Sequence, residues 1–234
     1  ILCVFLMLCC FSGFSQNQDL TSAIIAFQKN DLPNAKLAID KARNKITGGS
    51  ILKPKKMTKY YHYLGLIYFR QFQLDSLNDS RGEFLDVAST AFLEDAGLNS
   101  NFSKKSISQL NICASAYNNA AYKFYQQKEY ALALKNFISA IHIQTSSSIN
   151  RIDLNAMYGA ALSANNAEEY SEVVKWASKL IEIEPDSTKY HNVLIEAYER
   201  QGDLEKQLES INKARLAIPQ SQDIILKEVN YYIS

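Results

Sequence analysis

The feature that most constrains this chain is that it repeats itself. Tyr117, Ala120, Ala121 and Phe124 precede Tyr130, Ala133, Phe137 and Ala140. In the same frame Met157, Ala160, Ala161 and Ala164 precede Tyr170, Val173, Ala177, Leu180 and Pro185. The frame recurs once more, with His191, Leu194, Ile195 and Tyr198 ahead of Gly202, Leu204, Ile211, Ala214 and Pro219. Pro185 and Pro219 lie 34 residues apart, and the two units align without a gap. Self-similarity at such a period is the mark of a repeat architecture, in which each unit buries its apolar face against its neighbours.

Within each unit apolar residues fall at i, i+3, i+4 and i+7, the spacing of one helix face. A short polar turn follows, and then a second run of the same period. The turns Lys29-Asn30-Asp31, Gln127-Lys128-Glu129 and Gln201-Gly202-Asp203 are too short for anything but antiparallel neighbours. Gly65, Ala121, Ala133, Ala140, Ala161 and Ala214 fall where two backbones must approach, since packed helix axes lie only about 8–10 Å apart. Gly and Pro breaks every 30 to 40 residues exclude a long coiled coil. The positions of closest packing, Ala23, Gly65, Ala121, Ala161 and Ile195, are spaced by 42, 56, 40 and 34. The excess is assigned to loops at 47–54, 72–82 and 145–150, and Ser80-Arg81-Gly82-Glu83 has the form of a capping box ahead of the next helix.

Tyr61-His62-Tyr63-Leu64-Gly65-Leu66-Ile67-Tyr68 follows the W-x2-L-G-x2-Y opening of a tetratricopeptide repeat, with Tyr for Trp. The chain from Asp19 to Ser234 therefore resembles the tetratricopeptide-repeat (TPR) family, in an exported bacterial form. The resemblance implies an all-α, right-handed superhelical solenoid of antiparallel helix pairs, about five repeats plus the first helix of a sixth. The units are placed at about 19–46, 57–98, 103–144, 154–186, 188–220 and 221–234, and the chain is expected to continue past Ser234.

The resemblance also implies a concave groove lined by the first helix of each pair. Carried over by position, the groove takes His62, Tyr63, Phe69 and Arg70 from the second unit. It takes Asn118, Asn119, Tyr122, Tyr125 and Gln126 from the third, and Asn155, Tyr158, Leu162, Asn165 and Asn166 from the fourth. The fifth contributes Asn192, Glu196, Glu199 and Arg200. Tyrosine anchors among asparagines suit adaptable polar contacts with a protein segment, although any solvated helix face carries such residues. The family's clamp for C-terminal carboxylates finds only Asn119 in place, with Gly159 where an Arg belongs, so a cytosolic chaperone adaptor is not supported.

Residues 1–11, ILCVFLMLCCF, form an unbroken apolar run, too short for a bilayer and suited to the core of a secretory signal. Small residues at 13 and 15 place cleavage between Ser15 and Gln16, leaving 16–234 as the repeat region and implying a periplasmic or envelope location. Met7 and Leu8 ahead of Cys9 do not fit a lipoprotein signal. Cleavage would leave Cys113 as the sole thiol, in an apolar stretch that reads as core, so neither a disulfide nor a zinc site follows.

The three histidines, His62, His142 and His191, share no i, i+3 or i+4 spacing, and no phosphate-binding or nucleophile motif occurs. Glu168-Glu169, Glu182/Glu184 and the cluster Lys53, Lys55, Lys56 and Lys59 read as solvated helix ends. A net charge of +1 gives no electrostatic footprint for nucleic acid. The expectation is a non-catalytic scaffold for a protein partner, with no cofactor, no small-molecule substrate and no membrane span in this segment. The alternative is a sensory repeat region of a longer envelope protein, with a membrane span and effector domain past Ser234.

Overall fold

A computed structural model of the chain describes residues 18–75 and 82–233, and every structural statement below concerns these. The signal-like segment 1–15 lies outside them. The described residues form eleven helices and no strand: α1 (18–28), α2 (Leu32–Thr47), α3 (Pro54–Asp75), α4 (Glu83–Gly97), α5 (Ser103–Gln126), α6 (Tyr130–Thr145), α7 (Leu154–Asn166), α8 (Tyr170–Ile183), α9 (Thr188–Gln201), α10 (Leu204–Ala217) and α11 (Gln222–Ile233). Helices adjacent in sequence pair, giving the all-α helix-pair class that the repeat dictates.

One turn joins the two helices of a pair in four places. Asn30, Lys128, Glu168 and Gly202 take left-handed backbone, with φ of 58°, 62°, 61° and 71°. The residue after each sends its N–H back five residues, Asp31 to Ala26, Glu129 to Phe124, Glu169 to Ala164 and Asp203 to Tyr198, over 2.9 to 3.0 Å. This closes orphan carbonyls at the end of the first helix in the Schellman manner. The same residue then starts the second helix, its carbonyl accepting from Ala35, Ala133, Val173 or Gln207. Asp31 and Asp203 add a side-chain cap to the third residue on. Helix α4 starts differently. Its N-cap is Gly82, at φ 72°, and the capping box expected at Ser80-Arg81-Gly82-Glu83 begins outside the described residues.

Non-helical segments stand between Thr47 and Pro54 and between Thr145 and Leu154, where loops were expected, but part of the extra length in the register is helix. Helix α3 runs 22 residues and α5 runs 24, against 12 to 16 for the helices from α6 onward. Phe72 belongs to α3, and much of the 56-residue spacing is helix, because the apolar stripes of both helices continue for extra turns.

The chain divides into two compact units. The first runs to Cys113 and includes Ser146–Ile149; the second is Ala114–Thr145 with Asn150 onward, so α5 contributes one half to each. In the first unit α3 packs on α2 and α4. A Cβ at Gly65 would lie 2.5 Å from the Phe92 ring, while Tyr68 meets Phe84 at 6.2 Å, so positions advance along α3 as they recede along α4. The pair is antiparallel, and the glycine is there because a fully buried ring fills its side-chain space. Cys113 is buried beside Leu110 and Ala114, and burial pushes its thiol up to about 12.

In the second unit each helix packs on its chain neighbours, and α9 also touches α7 and α11. Its core joins Ala121, Phe137, Met157, Ala160, Ala161, Val173, Trp176 and Leu180. Gly159 repeats the Gly65 arrangement, for its Cβ would lie 2.5 Å from Phe137. The small residues assigned to close packing are buried throughout, Ala133 and Ala214 included.

Candidate interaction surfaces

Each unit presents one surface built from the first helices of its pairs. In the second unit two cross-links lay α5, α7 and α9 side by side. Asn166 Nδ2 donates to the Tyr125 hydroxyl at 3.1 Å, and Arg200 Nη1 donates to the Asn165 carbonyl at 2.7 Å. Tyr122 is 48% exposed, with its ring edge-on to buried Phe137 at 5.1 Å. Tyr125 is half-buried against Tyr130, and burial pushes its phenol above the ordinary value. Asn119, Gln126, Asn155 and Asn166 are exposed, and Asn118 and Asn192 half-buried.

Three predicted groove residues of this unit have part or all of their side chains in the core. Asn165 is buried, because its helix turns it toward the neighbouring backbone. Tyr158 and Leu162 pack against the core, Tyr158 at 5.6 Å from Tyr190. Toward the end of α9, Glu196 is half-buried and Glu199 pairs with Lys227 at 3.2 Å. The carboxamide oxygens of Asn118, Asn165 and Asn192 are enclosed without a hydrogen-bond partner. An enclosed polar atom left unpaired is costly, and Gln144 Oε1 and Ser163 Oγ of the same unit share that condition.

The first unit has a hollow of about 540 Å³, walled by Phe27, Tyr63, Leu66 and Phe102 and rimmed by Gln28, Lys105 and Gln109. His62 lines it from beneath and is 4% exposed, too buried for the open groove position assigned from the repeat frame. Phe69, also assigned to the groove, is 7% exposed and belongs to the core, where α3 turns it against Phe72. Arg70 is exposed and donates to Gln73 at 3.2 Å. The structure thus brings His62 and Tyr63 to one site and leaves Phe69 and Arg70 out of it.

Behind His62 lies a buried polar relay that the repeat pattern did not reveal. Ser106 Oγ donates to Asp95 Oδ2 at 2.6 Å, Ser100 Oγ donates to Asp95 Oδ1 at 2.7 Å, and Ser103 Oγ donates to the Asp95 carbonyl at 2.9 Å. His62 Nδ1 lies 2.9 Å from Ser106 Oγ. Asp95 is fully buried. Ser103 and Ser106, three apart, share one face of the first turns of α5, and Ser100 lies just ahead of that helix. The ring of His62 stacks on Phe102 at 4.7 Å and meets Tyr63 edge-on at 5.6 Å. Desolvation holds its imidazole below 6.5, with Lys105 adding to that and Asp95 opposing it.

The other histidines sit apart. His191 is buried and donates through Nε2 to the Pro185 carbonyl at 2.8 Å, and His142 is exposed on α6. Among the described residues no group of three His, Cys, Asp or Glu side chains is placed to hold a metal ion. No described helix is long and apolar enough to cross a membrane. Ser106 is fully enclosed and donates to Asp95, so it has neither the access nor the free base that nucleophilic catalysis requires.

No family model matches the chain, and no curated protein matches it. Solved structures do match, among them the TPR domain of P58(IPK), which is 14% identical with a TM-score of 0.40. That alignment covers 93% of this chain and 64% of the other, so the chain spans less than two thirds of that domain's length.

Proposed function

We propose that the chain is a non-catalytic scaffold that holds a segment of a protein partner on the first helices of its pairs. The observation that carries this reading is the uncharged Tyr/Asn surface of the second unit. There Tyr122, Tyr125, Asn119, Asn155 and Asn166 stand in reach of solvent on α5 and α7, which the Asn166–Tyr125 hydrogen bond ties together. Aromatic anchors near the centre of an interface carry most of its energy, and asparagine amides donate to and accept from an extended backbone.

The reading includes export to the bacterial envelope, on the strength of the apolar run 1–11 and the small residues at 13 and 15. Two measurements test it. Affinity capture from an envelope extract should recover a partner with the wild-type chain and lose it with Tyr122→Ala plus Asn166→Ala. These two side chains stand on the surface, so helicity and melting should stay near wild type. Full capture by a folded double variant would refute the assignment of this surface. Exported material with an intact mass retaining 1–15 would refute the processing.

A further inference from the structure

The relay behind His62 fixes what its hollow can recognise. A serine hydroxyl has one proton, and Ser106 gives it to Asp95 Oδ2. Ser106 Oγ therefore accepts from His62, so Nδ1 carries the ring proton. In the neutral ring the other nitrogen, Nε2, is then an acceptor with a free lone pair. No hydrogen bond among the described residues reaches Nε2. It is not sealed in either, for the enclosed unpaired polar atoms are on Asn118, Gln144, Ser146, Ser163, Asn165 and Asn192. Beneath the aromatic walls of the hollow, whose lining also includes Gln28, Asn30, Ser108 and Gln109, His62 thus keeps one ring nitrogen able to accept.

We propose that this hollow holds a tyrosine side chain of the bound segment, with its phenol O–H donating to His62 Nε2. The inference rests on the reading of the chain as a scaffold for a protein segment, and adds which residue the first unit selects. Phe27, Tyr63 and Phe102 offer ring faces and edges to an incoming ring. A volume of about 540 Å³ admits the side chain together with the backbone that bears it.

The alternatives fit less well. A phenylalanine or leucine would leave Nε2 desolvated and unpaired. A carboxylate has no proton to donate at neutral pH. A lysine or arginine would meet Lys105 at the rim, and no carboxylate lines the hollow. An indole carries its N–H on the flank of the ring, whereas a phenol carries its O–H at the tip, where end-on insertion needs it. Desolvation of the imidazole keeps Nε2 unprotonated at neutral pH.

The test uses the whole chain with 15N-labelled histidine and three probes: N-acetyl-tyrosinamide, its O-methyl ether and N-acetyl-phenylalaninamide. The tyrosinamide should bind saturably and move the His62 Nε2 resonance. The ether and the phenylalaninamide should bind about tenfold more weakly, because neither satisfies the acceptor. Leu66→Trp, which fills the hollow from its wall, should abolish the shift. Equal affinity for all three probes, absence of saturable binding, or a shift that survives Leu66→Trp would each overturn the proposal. The wild-type comparison stands even if the variant does not fold.

Selection from a random peptide library separates this inference from the scaffold reading. Enrichment of tyrosine that Leu66→Trp removes supports both. Peptides that bind wild type without tyrosine, and bind Leu66→Trp equally, overturn the tyrosine proposal and leave the scaffold. A chain that binds tyrosinamide but selects no peptide keeps the chemistry of the hollow and counts against the scaffold.

Discussion

Gly65→Ala adds a single methyl group, and the structure says where it goes. The new Cβ would lie 2.5, 2.6 and 2.8 Å from three carbons of the Phe92 ring, closer than real side chains approach. Phe92 is fully buried, so the ring cannot swing into solvent to make room. Removing a glycine from a helix interior stabilises by about 1 kcal/mol through backbone entropy. Overpacking a filled core costs about 1–3 kcal/mol. At a contact this short the upper half of that range applies, and the net loss should be about 1–2 kcal/mol. For a chain of this size that is a fall of about 2–8 °C in Tm.

Gly97→Ala is the internal control, because nothing lies within 4 Å of its Cβ and it should be neutral or slightly stabilising. The decisive measurement is a double-mutant cycle by urea denaturation with Phe92→Leu. Phe92→Leu alone leaves a cavity, whereas beside Gly65→Ala the smaller side chain receives the methyl group. The two changes should be coupled by about 0.5–3 kcal/mol in the favourable direction. Additive losses, or a Gly65→Ala variant as stable as wild type, would refute the close-approach argument.

Three further outcomes follow from burial. Ala133→Leu, in the fully buried face of α6, should cost about 1–3 kcal/mol, while Ser147→Leu in the exposed loop after α6 should be near neutral; matching denaturation midpoints would contradict the packing register. His62 is held below its ordinary 6.5 by desolvation, so the unfolded chain binds more protons between 6.5 and the lowered folded value. Stability should therefore fall as pH drops through that window, by at most about 1.4 kcal/mol per pH unit from this group, and the fall should be smaller in His62→Gln; parallel pH–stability curves for the two proteins would contradict it. Cys113, buried with its thiol pushed up to about 12, should react with a maleimide only when the chain unfolds, and labelling at the rate of an exposed thiol under native conditions would refute its placement.

Helix class and pairing were legible because they rest on local periodicity. Tyr170, Val173, Ala177 and Leu180 alternate between spacings of three and four, and Gly65 announces a close neighbour whatever that neighbour is. The lengths of α3 and α5 were not legible, because an apolar stripe that continues for two more turns looks the same as a stripe followed by a loop. The repeat frame assigned Asn119, Tyr122, Asn155 and Asn166 to an open face, and these four side chains are exposed. It failed for Phe69, because a frame fixes a position along the helix and not the angle at which a long helix presents it. The His62 relay was hidden for a different reason. Asp95, Ser106 and His62 lie on three helices, and each residue alone reads as an ordinary surface polar residue. Only packing turns Asp95 inward and makes its three serine partners necessary.

The left-handed turn that closes four of the helix pairs has a consequence for how such a chain changes over time. The bend is held by backbone hydrogen bonds and accepts Asn, Lys, Glu or Gly at the same place. Lys128 and Glu168 bear a conformational cost on the order of 1 kcal/mol that glycine would not. Exchanging residues there moves stability up or down while every helix face stays where it was. The repeat can therefore drift in robustness without drifting in what it recognises, and the two properties can be selected separately.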